Sequence, residues 1–183
     1  MAISSRNHGD KPGNIPAKIE PAHLLNSNFA AANGYWRNVV ICLGRKSPTA
    51  VEAKDYLAAI EYVIANSEGP IGIITVIQEA STPTPEGRDA LIRAFREMWP
   101  RITCAAFVIQ GRGFSAAAQR AILSGFTMIT GLNSRMRIVN TIEAATSWMA
   151  SLLVPSAAGT DENVVTQILA QVVKDFCDTH DHD

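Results

Sequence analysis

The run Ile71–Ile77, IGIITVI, decides the fold of this chain. Six of its seven residues are β-branched, and its apolar side chains follow one another without the alternation of a half-buried strand. Such a run is typical of a strand that is covered on both faces. Helical patterns lie on either side of it in the sequence. We therefore expect an α/β domain in which helices cover a central sheet.

The two helices that flank this strand carry recognisable start signals. Before the strand, Thr49 and Glu52 have the spacing of a capping box, so a helix is predicted to begin there. After the strand, Thr84 is a candidate N-cap with Pro85 at the first helical position. This second helical pattern continues to about Trp99.

The rest of the chain continues the alternation of strands and helices. Two extended segments at the start are predicted to form a hairpin, with its turn at Asn33 and Gly34. The other predicted elements are strands at 39–43, 104–109 and 135–140 and helices at 115–130 and 141–153. The predicted fold class is therefore α/β, with a mostly parallel central sheet, an N-terminal hairpin and about four helices.

The domain organisation follows from composition along the chain. We expect a flexible N-terminal arm at 1–21, one α/β domain at 22–154 and a linker at 155–160. A C-terminal amphipathic helix is expected at 161–178, before a polar tail at 179–183. Its apolar stripe is too long to stay in water, so the helix docks either on its own domain or on another subunit. This candidate interface helix contributes Val165, Ile168, Leu169, Val172 and Phe176.

Charge and hydropathy exclude some classes of partner. The formal net charge is −1, and no run of lysine or arginine occurs, which argues against nucleic acid as the main partner. The apolar stretches end well before the ~20 residues that a membrane-spanning helix needs. We therefore expect a cytoplasmic protein without a transmembrane segment.

The three cysteines fit neither a zinc site nor a disulfide framework. We expect Cys42 and Cys104 to be buried in strands and Cys177 to be peripheral. Near the C-terminus, His180, Asp181 and His182 are too close together in the sequence to share one tetrahedral centre easily. The sequence therefore predicts no metal site and no cofactor.

The stretch GRGFS at 111–115 raises the question of a phosphate site, because with the following alanine it matches the loose form G-x-G-x-x-A. It follows a late strand, and the next strand ends without the acid that would hold a ribose. We interpret it mainly as a strand-to-helix turn with a serine cap, beside which amides and two arginines form a modest anion or partner site. This candidate loop comprises Gly111, Arg112, Gly113, Phe114, Ser115 and Arg120.

No catalytic residue set emerges from the sequence. Every histidine lies in the first 23 or the last four residues, so the usual general base is missing from the predicted α/β core. Glu79 is the one acid expected near the carboxyl edge of the sheet, and we interpret it as a solvated loop residue. The prediction is a protein that is not an enzyme.

The order of elements, together with STPTPEGRDAL, IQGRGFSAAAQRAILSGF and IEAATSWM, resembles the STAS/SpoIIAA-like superfamily. The nearer likeness is to STAS-like hypothetical proteins of bacteria, notably myxobacteria, and it covers about residues 35–150. The resemblance implies a small regulatory or ligand-binding domain. In the anti-sigma-factor antagonists of this superfamily, a hydroxyl at the start of the helix after the third strand is phosphorylated by a partner kinase.

The corresponding hydroxyls in this chain are those of Ser81, Thr82 and Thr84, although the Asp-Ser-Ser/Thr-Gly pattern that frames the phosphosite is absent. The plain alternative is a turn and helix cap. Our first functional hypothesis is a non-enzymatic regulatory or scaffolding domain that binds a protein partner or itself as a homo-oligomer. The second is a small-molecule or lipid carrier or sensor, because the superfamily includes relatives of the CRAL-TRIO lipid-binding fold. The third is a binder of an anionic or nucleotide ligand at residues 111–115.

Overall fold

The computed structural model describes residues 18–78, 83–110, 117, 120–121, 134–153 and 161–181. Six strands form one mixed sheet, in which the order of the strands follows the order of the chain. The first three strands pair antiparallel and the last four pair parallel, so the sheet is mostly parallel, as predicted. The strands are β1 (His23–Ser27), β2 (Ala31–Trp36), β3 (Val39–Gly44), β4 (Ile71–Ile77), β5 (Ile102–Ile109) and β6 (Met136–Val139).

Four α-helices within the described residues cover the two faces of the sheet. They are α1 (Ala50–Asn66), α2 (Pro85–Met98), α3 (Ile142–Leu153) and α4 (Glu162–His180), and a short 3-10 helix, Trp99–Arg101, follows α2. Helices α1 and α2 pack on one face, and α3 and α4 pack on the other. We call these the α1–α2 face and the α3–α4 face. The predicted helix at 115–130 lies mostly outside the described residues.

The start signals of α1 and α2 are confirmed. The Thr49 hydroxyl accepts a hydrogen bond from the Val51 amide, and the Glu52 carboxylate accepts one from the Thr49 amide at 2.9 Å. The Thr49 hydroxyl also donates to the Glu52 carboxylate, and this bond, with the one from the Thr49 amide, holds the pKa of Glu52 below its ordinary value. Thr84 caps α2 by accepting from an amide of the first turn, and Pro85 is the first residue of the helix.

The predicted hairpin turn at Asn33 and Gly34 is wrong. Both residues lie inside β2, paired with β3 on one side and β1 on the other. The chain turns instead at Arg37 and Asn38, where Arg37 takes a positive φ of 53°. Gly34 has another role, because a Cβ there would lie 2.5 Å from the ring of Phe176 and from a main-chain oxygen of β1. The glycine marks a close approach of helix α4 to the sheet.

The C-terminal helix docks on its own chain, which is one of the two alternatives that the sequence left open. Leu169, Val172 and Phe176 of the predicted interface stripe are buried in the core of the α3–α4 face, and Ile168 packs against it. Val165 is half-buried. The helix continues to His180, two residues beyond the predicted end.

The docking of α4 also corrects the prediction for Cys177. This cysteine was expected to be peripheral, but it is buried, as are the other two. The reason is that Cys177 lies on the sheet-facing side of α4, among the apolar residues of the α3–α4 face.

Arg45 fixes the end of α4 beside the first strands. The side chain is buried, and its guanidinium donates to the main-chain oxygens of His180 and Asn28. It donates further to the Ser27 hydroxyl at 3.2 Å. A cation at the C-terminal end of a helix is also favoured by the helix dipole. Arg45 therefore joins parts of the chain that are 135 residues apart.

Candidate functional site

The carboxyl ends of the parallel strands and the N-terminal ends of α1 and α2 meet at one edge of the sheet. The Thr84 amide donates to the Pro48 main-chain oxygen at 3.2 Å, which brings the two helix starts into contact. A Cβ on Gly87 would lie 2.4 Å from that same oxygen, so the approach is as close as the backbone allows. Open α/β folds place their ligands at this edge.

Two rows of residues cross the sheet on the α1–α2 face at this edge. The outer row contains Ala31, Gly44 and Ile77, which are neighbours on β2, β3 and β4. The inner row lies two residues deeper and consists of Asn26, Asn33, Cys42, Thr75 and Phe107 on β1 to β5. The inner row is polar over four adjacent strands. On a sheet that is otherwise apolar here, it is the feature that most needs a chemical explanation.

Solvent reaches part of the inner row. Cys42 is 7% exposed, Thr75 8% and Phe107 8%, whereas Val40, Ile73 and Ala105, one row deeper on the same strands, are 0% exposed. Tyr56 of α1, which lies over this row, is 6% exposed. The exposed fraction thus rises from the deeper row toward the carboxyl ends of the strands, where Gly44 and Ile77 are half-buried. We call the space bordered by Gly44, Cys42, Thr75, Phe107 and Tyr56 the crevice.

Within the described residues, the lack of a side chain at Gly44 leaves room in the outer part of the crevice. Of the residues that the structure describes, only Val76 would come within 4 Å of a Cβ placed on Gly44, through its main-chain oxygen at 3.8 Å. Gly34 and Gly87 differ from Gly44, because neighbouring atoms occupy the position that a Cβ would take at each of them. Gly44 instead has room beside it at the carboxyl ends of the strands, as far as the described part of the chain extends.

The polar groups of the crevice are neutral near pH 7. The Tyr56 and Thr75 hydroxyls share one hydrogen bond of 3.0 Å. Burial raises the pKa of the Cys42 thiol to about 12. Burial, and secondly the neighbouring Cys42, raise the pKa of Tyr56. These groups can donate and accept hydrogen bonds without carrying charge, which suits recognition better than proton transfer near neutral pH.

A chain of amides lies beside the crevice on β1 and β2. Asn26 Nδ2 donates to the main-chain oxygen of Asp55 at 3.2 Å, and Asn26 Oδ1 accepts from Asn33 Nδ2 at 2.7 Å. Asn28 Nδ2 approaches the Asp55 carboxylate at 3.4 Å. The start of α1 is therefore joined to the first two strands by polar contacts as well as by packing.

The sequence-predicted phosphorylation residues are only partly covered. Ser81 and Thr82 lie outside the described residues. The Thr84 hydroxyl is engaged as a helix cap, accepting from the Gly87 amide at 3.1 Å. The turn-and-cap interpretation is thus confirmed for Thr84, and phosphorylation stays a prediction.

The loop of residues 111–115 also lies outside the described residues. This holds for Gly111, Arg112, Gly113, Phe114 and Ser115, whereas Arg120 is described as a helical, half-buried residue. Glu79 lies outside as well.

At the end of α4, Asp181 accepts a hydrogen bond from Gln78, at the end of β4, at 2.6 Å. Across the described ranges, no three His, Cys, Asp or Glu side chains are grouped so that they could hold a metal ion.

The sequence missed the crevice, although it contained partial signals. Thr75 is the one polar residue in IGIITVI, and Tyr56 falls on the inner stripe of its helix, where a phenol needs a partner. Their hydrogen bond depends on how α1 crosses the sheet. The register that aligns Asn33 with Cys42 depends on the turn at Arg37, which carries no glycine.

No family model, curated protein or solved structure matches the chain. The resemblance to the STAS/SpoIIAA-like superfamily therefore remains a prediction. Among the helices that the structure describes, none has the length and apolarity that crossing a membrane requires.

Proposed function

We propose that this chain is a cytoplasmic, non-catalytic regulatory domain that binds a small molecule in the crevice. The observation that carries the proposal is the partial exposure of Cys42, Thr75, Phe107 and Tyr56 beside Gly44, where a Cβ would meet only the Val76 oxygen among the described residues. This position, at the carboxyl ends of parallel strands, is the usual ligand position of open α/β folds. The predicted STAS/SpoIIAA-like membership supports a regulatory role for such binding.

The neutral lining of the crevice favours binding over catalysis. Its hydroxyls and thiol, with the Asn33 amide beside them, recognise polar groups by hydrogen bonding. The apolar Phe107, and Ile77 in the outer row, provide contact area. Small-molecule sites commonly combine an apolar wall with a few placed polar groups. A bound molecule would contact both α1 and the sheet, so binding would stabilise their relative position.

The test is a thermal-shift screen of a metabolite library, together with native mass spectrometry of the purified protein. Gly44→Leu fills the outer part of the crevice, and Ala58→Leu adds the same bulk to the exposed side of α1. We expect at least one compound to raise the melting temperature of the wild-type chain and of Ala58→Leu, but not of Gly44→Leu. The proposal fails if no compound binds, or if Gly44→Leu binds as well as the wild type.

A second candidate function is binding of a protein partner or a second copy of the chain. Phe29 carries this candidate, because its side chain is 75% exposed at the tip of the β1–β2 turn. The Lys46 ammonium lies 5.7 Å from the centre of its ring. Aromatic side chains are enriched at protein–protein interfaces, so an exposed ring of this kind is a candidate anchor. The predicted interface stripe on α4 does not add to this surface, because it packs on its own chain.

Sedimentation velocity over a concentration series tests self-association through Phe29. We expect the wild-type chain to associate, Phe29→Ser to associate less, and Leu152→Ser, which changes another exposed apolar residue, to behave like the wild type. A wild-type chain that stays monomeric at every concentration contradicts self-association, as does equal association of both variants.

A further inference from the structure

The hydrogen-bonding pattern beside the crevice is directional. The main-chain oxygen of Asp55 can only accept, so the Asn26 side chain must turn its amide nitrogen toward it. Asn26 Oδ1 then accepts from Asn33 Nδ2, which leaves Asn33 Oδ1 at the end of the chain of amides. Asn33 is 1% exposed, and its Oδ1 has no hydrogen-bond partner among the described residues. Within the described part of the chain, the sheet therefore presents a buried acceptor without a donor.

On the other side of the crevice, the described residues have a donor more than they have acceptors. Tyr56 and Thr75 together carry two hydroxyl protons, and one hydrogen bond of 3.0 Å joins them. Only one of the two protons is used in that bond, so the pair keeps one proton to donate elsewhere. Whichever hydroxyl donates to the other, one hydroxyl proton of the pair is left.

The register places these two groups on either side of Cys42. Asn33 pairs with Cys42, and Cys42 pairs with Thr75. Neighbouring strands lie about 4.8 Å apart, so Asn33 and Thr75 are separated by roughly 10 Å across the sheet. The short Cys42 side chain lies between them. A small group above Cys42 would reach both sides by hydrogen bonds of ordinary length.

We propose that the ligand of the crevice is a neutral polyol, one hydroxyl of which donates to Asn33 Oδ1 while the ligand accepts from the Tyr56–Thr75 hydroxyl pair. This inference rests on the proposed ligand-binding function and names the ligand class. A hydroxyl both donates and accepts, which is what the two sides require. A carboxylate or phosphate would set oxygen lone pairs against Asn33 Oδ1, and a quaternary ammonium offers neither a donor nor an acceptor.

The distribution of charge agrees with a neutral ligand. The nearest buried cation in the sequence is Arg45, whose side chain follows Leu43 on the α3–α4 face and donates to main-chain oxygens. Its charge lowers the pKa of Cys42, but by less than burial raises it. The Asp55 carboxylate faces Asn28 on the β1 side. The groups that line the crevice itself are uncharged.

The experiment is an amide-resolved NMR titration of the full chain with erythritol, ribose and myo-inositol, and separately with acetate, phosphate and tetramethylammonium. We expect the polyols to shift the side-chain amide signals of Asn33 and the main-chain signals of Cys42 and Thr75. The double variant Tyr56→Phe/Thr75→Val removes both hydroxyls and should weaken polyol binding about tenfold, the loss that corresponds to one hydrogen bond. Thr103→Val, a matched change at the far end of β5, should bind like the wild type. Each single variant keeps one hydroxyl with a proton to donate, so each should bind more tightly than the double variant; this comparison provides a second reading if the double variant unfolds.

The outcomes separate this inference from the function on which it rests. Binding of a charged probe that Gly44→Leu abolishes would keep the ligand-binding function and overturn the polyol. Polyols that leave the Asn33 amide signals unmoved would overturn the polyol, because a resident water alone would then satisfy Asn33. A metabolite screen without any ligand would overturn the function and the polyol together.

Discussion

Gly34 and Gly72 lack side chains where the helices of the α3–α4 face approach the sheet. A Cβ on Gly34 would lie 2.5 Å from the Phe176 ring, and one on Gly72 would lie 2.8 Å from Leu153 and 2.9 Å from Met149. Each glycine therefore admits a large apolar side chain from a helix. This explains why a glycine that suggested a hairpin turn lies inside a strand, since glycine within a strand often marks a close approach.

We expect Gly34→Ala to lower the free energy of unfolding by about 1–3 kcal/mol, because the new methyl group overpacks the contact with Phe176. The matched control is Gly44→Ala, whose methyl group meets only the Val76 oxygen, at 3.8 Å, among the described residues. Urea denaturation followed by circular dichroism measures both. Equal stability of the two variants would show that α4 does not pack against β2 in this way.

At the scale of elements, the sequence predicted most of the fold because local signals and burial agreed. The strand Ile71–Ile77 and the starts of α1 and α2 are as predicted, since apolar runs and capping residues act locally. The hairpin failed because its turn depends on Arg37, a residue type that rarely takes a positive φ. The sequence could not show whether α4 docks on its own chain or on a partner, because an amphipathic stripe has the same pattern in both cases.

We expect Val173→Asp to disrupt the packing of α4. Val173 is fully buried against the α3–α4 face, so an unpaired carboxylate there should cost about 3–5 kcal/mol. Gln167→Asp places the same side chain on the exposed side of the helix and should change stability little. Hydrogen exchange across residues 162–180 measures the effect. Unchanged protection in Val173→Asp would mean that the stripe is not held by its own chain.

The candidate site was less predictable than the fold. Its members come from β2, β3, β4, β5 and α1, and each one alone looks like an ordinary core residue. Only the register, which aligns Asn33, Cys42 and Thr75, reveals a polar row. Register depends on turn geometry and on the packing of whole faces, and neither is written in a short motif.

At the scale of the whole molecule, the two cores bury three thiols, and their burial makes the stability of the fold depend on pH in alkaline solution. Burial raises the pKa of Cys42, Cys104 and Cys177 from 9.0 to about 12. Above pH 9 the unfolded chain releases these protons while the folded chain retains them. The unfolded state is then favoured, so stability is fully present below about pH 9 and falls as the pH rises toward about 12.

We therefore expect the free energy of unfolding to decrease above about pH 9, by up to about 1.4 kcal/mol per pH unit for each thiol. Burial of Tyr56 acts in the same direction at higher pH. Urea denaturation between about pH 8 and about pH 10.5 under reducing conditions measures the slope. A variant with all three cysteines replaced by alanine should show a shallower slope. An identical slope in the two chains would contradict burial of the thiols.

Because the strands precede α4 in the sequence, the ribosome makes the whole sheet before it makes the helix that covers one of its faces. The six strands of the described residues are complete by Val139, but Phe176, which belongs to the same core as Trp36 and Leu43, is made nearly 40 residues later. A growing chain on the ribosome would thus expose an apolar sheet face for the time needed to add about 40 more residues, some seconds at ordinary rates of translation. Chaperones that recognise nascent apolar surface would bind this chain in that interval. The interval ends when α4 docks and Arg45 can donate to the main-chain oxygen of His180.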